Sequence, residues 1–185
     1  MTFKTIVGIV LGAMLANNYA LEKFLGAAPR RGWAAQEGKT KALGISVTIA
    51  MLFTALIAWF VQGHALMNSH GYLQTLVFAA IVLIVVYAME AIAKAAFQKS
   101  LGIYFPIIAL NSAVLGLAVN NAAAALTLGE SLLTALGAGL GFWLALEAFA
   151  AVRTKIRERY VPKAWRGLPI YLLTAAILSM ALLAF

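Results

Sequence analysis

Two short polar runs stand where the chain is otherwise almost wholly apolar: Asn17-Asn18 in NNYAL (17–21) and Asn111-Ser112 in LNSAVLG (110–116). An amide or hydroxyl in hydrocarbon needs a hydrogen-bond partner, because lipid offers none. One use of such residues is glue between packed helices, where small neighbours let backbones approach. The other is to satisfy backbone groups freed where a helix unwinds. Two similar motifs in one chain favour the second use. Asn17, Asn18 and Asn111 are therefore expected at helix breaks beside an ion or substrate path. Pro106 lacks an N–H and is expected to promote the second break. Gly26 and Gly116, just beyond the two motifs, are expected to permit tight chain geometry.

Carboxylates are the other candidates. All six acidic residues are glutamates. Glu37, Glu130 and Glu158 fall in loops or at span ends and are expected to be solvated, and Glu22, adjacent to Lys23, carries no assigned role. Glu147 lies inside an apolar segment, about two turns before the basic run that starts at Arg153. Glu90 lies near the end of another. An intramembrane carboxylate is costly and commonly marks a proton or cation path. For Glu90 a structural carboxyl, protonated or paired near the interface, is an equal reading. Cysteine is absent, which excludes disulfides, thiolate catalysis and any zinc or iron–sulfur site ligated by cysteines of this chain alone. His64 and His70 are too few for a metal site. No phosphate-cradling loop, catalytic triad or nicotinamide fingerprint is present, so no independent enzyme is expected.

The elements that must position these residues are membrane spans. The 185 residues are 64% hydrophobic and only 11% charged, with a mean hydropathy of +0.94, too little charge to cover a soluble surface. Six apolar segments fit spans, near residues 3–25, 43–61, 73–93, 101–119, 131–152 and 167–185. The first opens with Lys4 but has no small-residue cleavage site, so it is expected to stay in the bilayer. Arg30, Arg31, Lys39 and Lys41 lie in the first loop, Lys94 and Lys99 in the third, and Arg153, Lys155, Arg157, Arg159, Lys163 and Arg166 in the fifth. The second and fourth loops, at about 62–72 and 120–130, hold no Lys or Arg. This alternation places loops one, three and five in the cytoplasm and both termini outside. It also accounts for the net charge of +8 without nucleic acid. The basic run 153–166 could meet anionic lipid, but topology already explains it.

NNYAL opens the first set of three spans and NSAVL the second. Three spans per half means that the halves enter the membrane from opposite sides, an inverted-topology repeat. The expected fold is an all-α integral membrane protein with six transmembrane helices. It forms a single domain over residues 1–185, as an inverted 3+3 repeat of about 1–93 and 101–185, with half-helices in spans one and four. Gly137, Gly139 and Gly141 are expected at a close helix contact, and Trp59, Trp143 and Trp165 at interfaces or lipid-facing positions.

NNYALEKFLG, LGIYFPIIALNSAVLG and VPKAWRGLPIYLLTAAILSMAL closely resemble the Rnf/Nqr membrane subunits, of the RnfA (NqrE-like) type. The resemblance runs in order through all six segments. It implies a place in an ion-pumping respiratory complex of the bacterial-type inner membrane. Electrons there pass between ferredoxin and NAD, or from NADH to quinone, coupled to Na⁺ or H⁺ movement. It also implies a related RnfE (NqrD-like) partner, an inverted repeat, and a [2Fe–2S] cluster shared between the two subunits. The resemblance places two cluster cysteines on each of them, in Phe-Leu-Gly-x-Cys-Pro and Asn-Cys-Ala-Val-Leu-Gly contexts. This chain reads Phe24-Leu25-Gly26-Ala27-Ala28-Pro29 and Asn111-Ser112-Ala113-Val114-Leu115-Gly116, so Ala28 and Ser112 occupy the ligand positions. Alanine has no donor atom and a serine hydroxyl is a poor substitute for thiolate. A non-catalytic subunit without the usual cluster ligands is expected. The alternative is a redox-free transporter or channel on the same fold, with the asparagines and Ser112 lining its path and Glu147 as coupling carboxylate.

Overall fold

A computed structural model of the chain describes residues 3–21, 23, 37–63, 73–97, 104–156 and 158–182. The elements formed by the described residues are all helices, without strands. α1 (Phe3–Leu11) runs directly into a π-helical turn, Gly12–Ala16. α2 spans Glu37–Gln62, α3 Gln74–Phe97, α4 Tyr104–Ala109, α5 Ser112–Ala123, α6 Leu128–Lys155 and α7 Leu168–Leu182. Four stretches are long and apolar enough to cross a bilayer: Thr40–Gln62, Gln74–Ala95, Phe105–Ala123 and Leu128–Lys155. Phe3–Ala16 and Pro169–Ala181 are shorter apolar helices.

α6 is the centre of the packing. It lies against α2 in the most extensive helix contact, and also against α1, the π-turn, α5 and α7. Its small residues explain the closeness. A Cβ at Gly137 would stand 2.6 Å from the Val10 carbonyl oxygen, and one at Gly141 would stand 2.5 Å from that of Met14. Gly139, on another face, would meet Thr48 of α2 at 2.6 Å. The glycine run therefore seats two neighbours at once, the first span on one side and α2 on the other.

The main core joins residues from both halves of the chain: Val47 and Met51 of α2, Val82 and Val86 of α3, Ile108 of α4, Val114 and Leu117 of α5, and Phe142 of α6. A second cluster, Ala58, Phe78, Ile81, Val85, Ala118 and Ala122, closes the contact of α2, α3 and α5. At that end Trp59 Nε1 donates to the Leu126 carbonyl at 3.0 Å and Gln62 Nε2 to that of Ala122 at 2.8 Å.

Several boundaries differ from the hydropathy reading. Asn120 to Ala123, expected in the fourth loop, complete α5, and Asn121 is buried there, donating to Ser131 Oγ at 2.9 Å. α6 starts at Leu128 rather than 131, because Thr127 and Glu130 form a capping box. Glu130 thus lies at a span end and in solvent, as expected, and caps α6 there. Glu37 is the first described residue of α2, which begins ahead of residue 43.

Candidate functional site: two asparagine-held helix breaks

The first break follows the π-turn, whose wide closure is made by the Asn17 N–H donating to the Gly12 carbonyl at 2.8 Å. Asn18 then replaces the helix ladder. Its Oδ1 accepts from the Ala20 N–H at 3.0 Å and the Leu21 N–H at 3.2 Å. Its Nδ2 donates to the Met14 carbonyl at 2.9 Å and, across the bundle, to the Gly141 carbonyl of α6 at 3.0 Å. This amide is wholly buried and uses both its ends. Only a glycine at 141 leaves room, since a Cβ there would come within 3.1 Å of Asn18 Nδ2. Ser179 of α7 donates its hydroxyl to the Leu21 carbonyl at 2.7 Å and so holds the far side of the break.

The second break separates α4 from α5 at Leu110 and Asn111. Asn111 is the N-cap of α5, with extended backbone (φ −78°, ψ 109°), and its Oδ1 accepts from the Ala113 N–H at 2.9 Å. Pro106 lies upstream of this break, inside α4. Its carbonyl accepts from the Leu110 N–H at 3.1 Å. Gly116 plays no part in the break, being inside α5.

The two sites use one device. Asn18 and Asn111 each accept from the N–H two residues on, so the equivalent residues are 18 and 111. Alignment by residue identity pairs 17 with 111 instead, and Asn17 is exposed. Tyr19, Ala20 and Leu21 from the first break and Ala113 and Val114 from the second share one core cluster. Asn120 Nδ2 of α5 donates to the Tyr19 hydroxyl at 3.1 Å, tying them together. Ser112, the first residue of α5, is exposed on this chain's surface beside the strongly exposed Leu110. Ala28 lies outside the described residues, as do His64 and His70.

The two carboxylates lie elsewhere. Glu90, near the end of α3, pairs with Lys94 one turn on at 2.9 Å. Glu147 is half-buried in α6 and its Oε1 accepts from Trp143 Nε1 at 3.2 Å. Among the described residues no three acidic, histidine or cysteine side chains come together as a metal site. Sequence reasoning passed over Ser179, Asn120 and Asn121. Their roles depend on partners far along the chain, and the one local signal was that each is a polar residue in or beside an apolar run.

Comparison with known proteins gives a consistent result. The family model described as "Rnf-Nqr subunit, membrane protein" matches residues 6–185. The chain is 37% identical to the A-type subunit of the Na(+)-translocating ferredoxin:NAD(+) oxidoreductase complex of Acetobacterium woodii, covering 98% of this chain and 96% of that one. It is 38% identical to the A-type subunit of the ion-translocating oxidoreductase complex of Syntrophotalea carbinolica, with the same coverage. The corresponding subunit of Actinobacillus pleuropneumoniae is 34% identical, over 96% of this chain and 94% of its own.

Proposed function

This chain belongs to the Rnf-Nqr family of membrane-protein subunits, and we propose that it is the A-type membrane subunit of a redox-driven, ion-translocating complex. The observation that carries this reading is the near end-to-end match to A-type subunits of such complexes. Within the complex the chain forms a single six-span domain in the inner membrane, with both termini outside. The charge alternation of the loops supports that orientation. An inverted repeat is supported by the matched asparagine chemistry of the two breaks, each in the opening span of its half. The exposed start of α5 is the surface proposed to meet a related RnfE (NqrD-like) subunit.

The donor set does not suit the family's shared [2Fe–2S] cluster. Position 28 is an alanine, position 112 offers a serine hydroxyl, and the chain holds no thiolate. No electron step is assigned to a cluster held by this chain. What its residues do is hold two unwound segments against one core, with every buried amide of the breaks engaged. A redox-free transporter on the same fold is the second reading, favoured only by those missing thiolates. Inverted membrane vesicles from cells with and without this chain separate the two. The complex reading expects NADH- or ferredoxin-driven Na⁺ or H⁺ uptake to vanish when the chain is deleted. Undiminished uptake would overturn it.

A further inference from the structure

The segment between α6 and α7 has a fold of its own. Glu158–Tyr160 and Lys163–Trp165 each make a single 3-10 turn, and the Trp165 N–H closes onto the Pro162 carbonyl at 2.9 Å. Arg166 staples the segment from its far end. Its Nε donates to the Val161 carbonyl at 2.8 Å and its Nη2 to that of Arg159 at 3.5 Å. At the base, the Arg153 guanidinium lies 4.0 Å from the ring of buried Tyr171, joining the end of α6 to the start of α7. Arg153 and Arg166 are thus engaged in holding the shape of the run.

Three other cations point elsewhere. Lys155, Arg159 and Lys163 are exposed, and among the described residues none of them pairs with a carboxylate. The side chains of Arg157 and Glu158 lie outside the described set. Between these cations stand two large rings, Tyr160 at 74% exposure and Trp165 at 50%. Water suits the cations but not the rings, and hydrocarbon suits neither the cations nor the polar tips of the rings. The headgroup layer suits all of them, since Trp and Tyr favour that depth and Lys and Arg there meet lipid phosphates. Lys155 ends α6 and Trp165 stands just ahead of α7, so the segment sits at the mouth of two membrane helices. The positive-inside rule accounts for the charge of this run. It does not call for two exposed aromatic rings, or for a guanidinium that fixes the backbone between the outward cations.

We propose that the segment Lys155–Arg166 is a docking surface for anionic phospholipid, with Arg159 and Lys163 on the headgroup phosphate and Tyr160 and Trp165 seated in the interface beside it. An acidic protein face would answer the cations equally well. The exposed rings at the ends of two spans favour lipid.

The test uses the absence of native cysteine. Ala164→Cys, exposed between Lys163 and Trp165, carries a benzophenone maleimide, and the full chain is reconstituted in vesicles of equal phosphatidylglycerol and phosphatidylcholine. After irradiation, mass spectrometry of the peptide containing residue 164 identifies the lipid attached. Phosphatidylglycerol adducts are expected to exceed phosphatidylcholine adducts several-fold, and the ratio to fall towards one in 1 M sodium chloride, which screens the charges. Arg159→Gln with Lys163→Gln is expected to lower the ratio likewise, while leaving four basic residues in the run to hold its orientation. Lys41→Gln, at an exposed cation on α2, is expected to leave it unchanged. Equal adducts of the two lipids, a ratio indifferent to the double substitution, or an equal fall in Lys41→Gln would overturn the proposal. If the double variant does not fold, the salt arm decides. The same probe in native membranes is expected to yield phospholipid adducts, and its capture by a protein instead would also overturn the lipid site. None of these readouts requires the redox-complex reading to be correct.

Discussion

Asn18 and Asn17 are neighbours of identical chemistry with opposite consequences. Removing the Asn18 side chain leaves two buried N–H groups and two carbonyls without their side-chain partner. Asn18→Ala is expected to destabilise by about 2 kcal/mol or more, taking an unmade buried bond against the modest worth of hydrogen bonds within membranes. Asn111→Ala loses an N-cap and should cost about 1 kcal/mol. Asn17→Ala, at an exposed position, should stay within about 0.5 kcal/mol. Thermal unfolding in detergent, followed by tryptophan fluorescence, ranks the three, and a larger loss at Asn17 than at Asn18 would contradict the arrangement. The sequence announced that asparagines sat in a span. It did not reveal which one turns inward, because that depends on where the π-turn ends, and no periodicity encodes that residue. The single glutamates were visible too, but the Lys94 partner of Glu90 and the Trp143 partner of Glu147 become meaningful only once the helices exist, one turn apart on the same face.

At the scale of elements, α6 is a helix shaped by absence of side chains. Gly141→Ala and Gly137→Ala would press a methyl into the backbone of the first span. Each is expected to destabilise by about 1–3 kcal/mol, the usual penalty of overpacking. Gly8→Ala, with nothing within 4 Å of the added methyl, should be neutral or stabilise by up to about 1 kcal/mol. The same thermal measurement distinguishes them; equal effects at Gly8 and Gly141 would mean that α6 does not seat the first span closely. Hydropathy located the cores of the long helices, because an apolar run of that length has few alternatives. It misplaced their ends, where hydrogen bonding rather than hydrophobicity decides. The Thr127–Glu130 box starts α6 early, and Asn121, polar yet buried on Ser131, lets α5 continue through a stretch that looks like a loop.

For the whole molecule, orientation rests on charge, and the absence of native cysteine offers a clean background for testing it. Thr127→Cys, between α5 and α6, should react with a membrane-impermeant maleimide added from the non-cytoplasmic side. Lys94→Cys and Lys163→Cys should react only when the cytoplasmic face is exposed. The reverse pattern would invert the topology. Family membership was legible from motifs that run the length of the chain, and the end-to-end relatives agree with it. The departures at positions 28 and 112 were legible as well, since a missing thiolate is a fact of sequence. What those two positions meet was not legible, since Ser112 is exposed on this chain's surface and Ala28 lies outside the described residues. The most direct measurement is therefore purification of this chain from its own membranes in mild detergent, with mass spectrometry of everything retained. A related membrane subunit is expected, together with flavin- or cluster-bearing redox subunits in fixed proportion. Recovery of the chain alone, or with no redox protein, would contradict membership of a redox-driven complex.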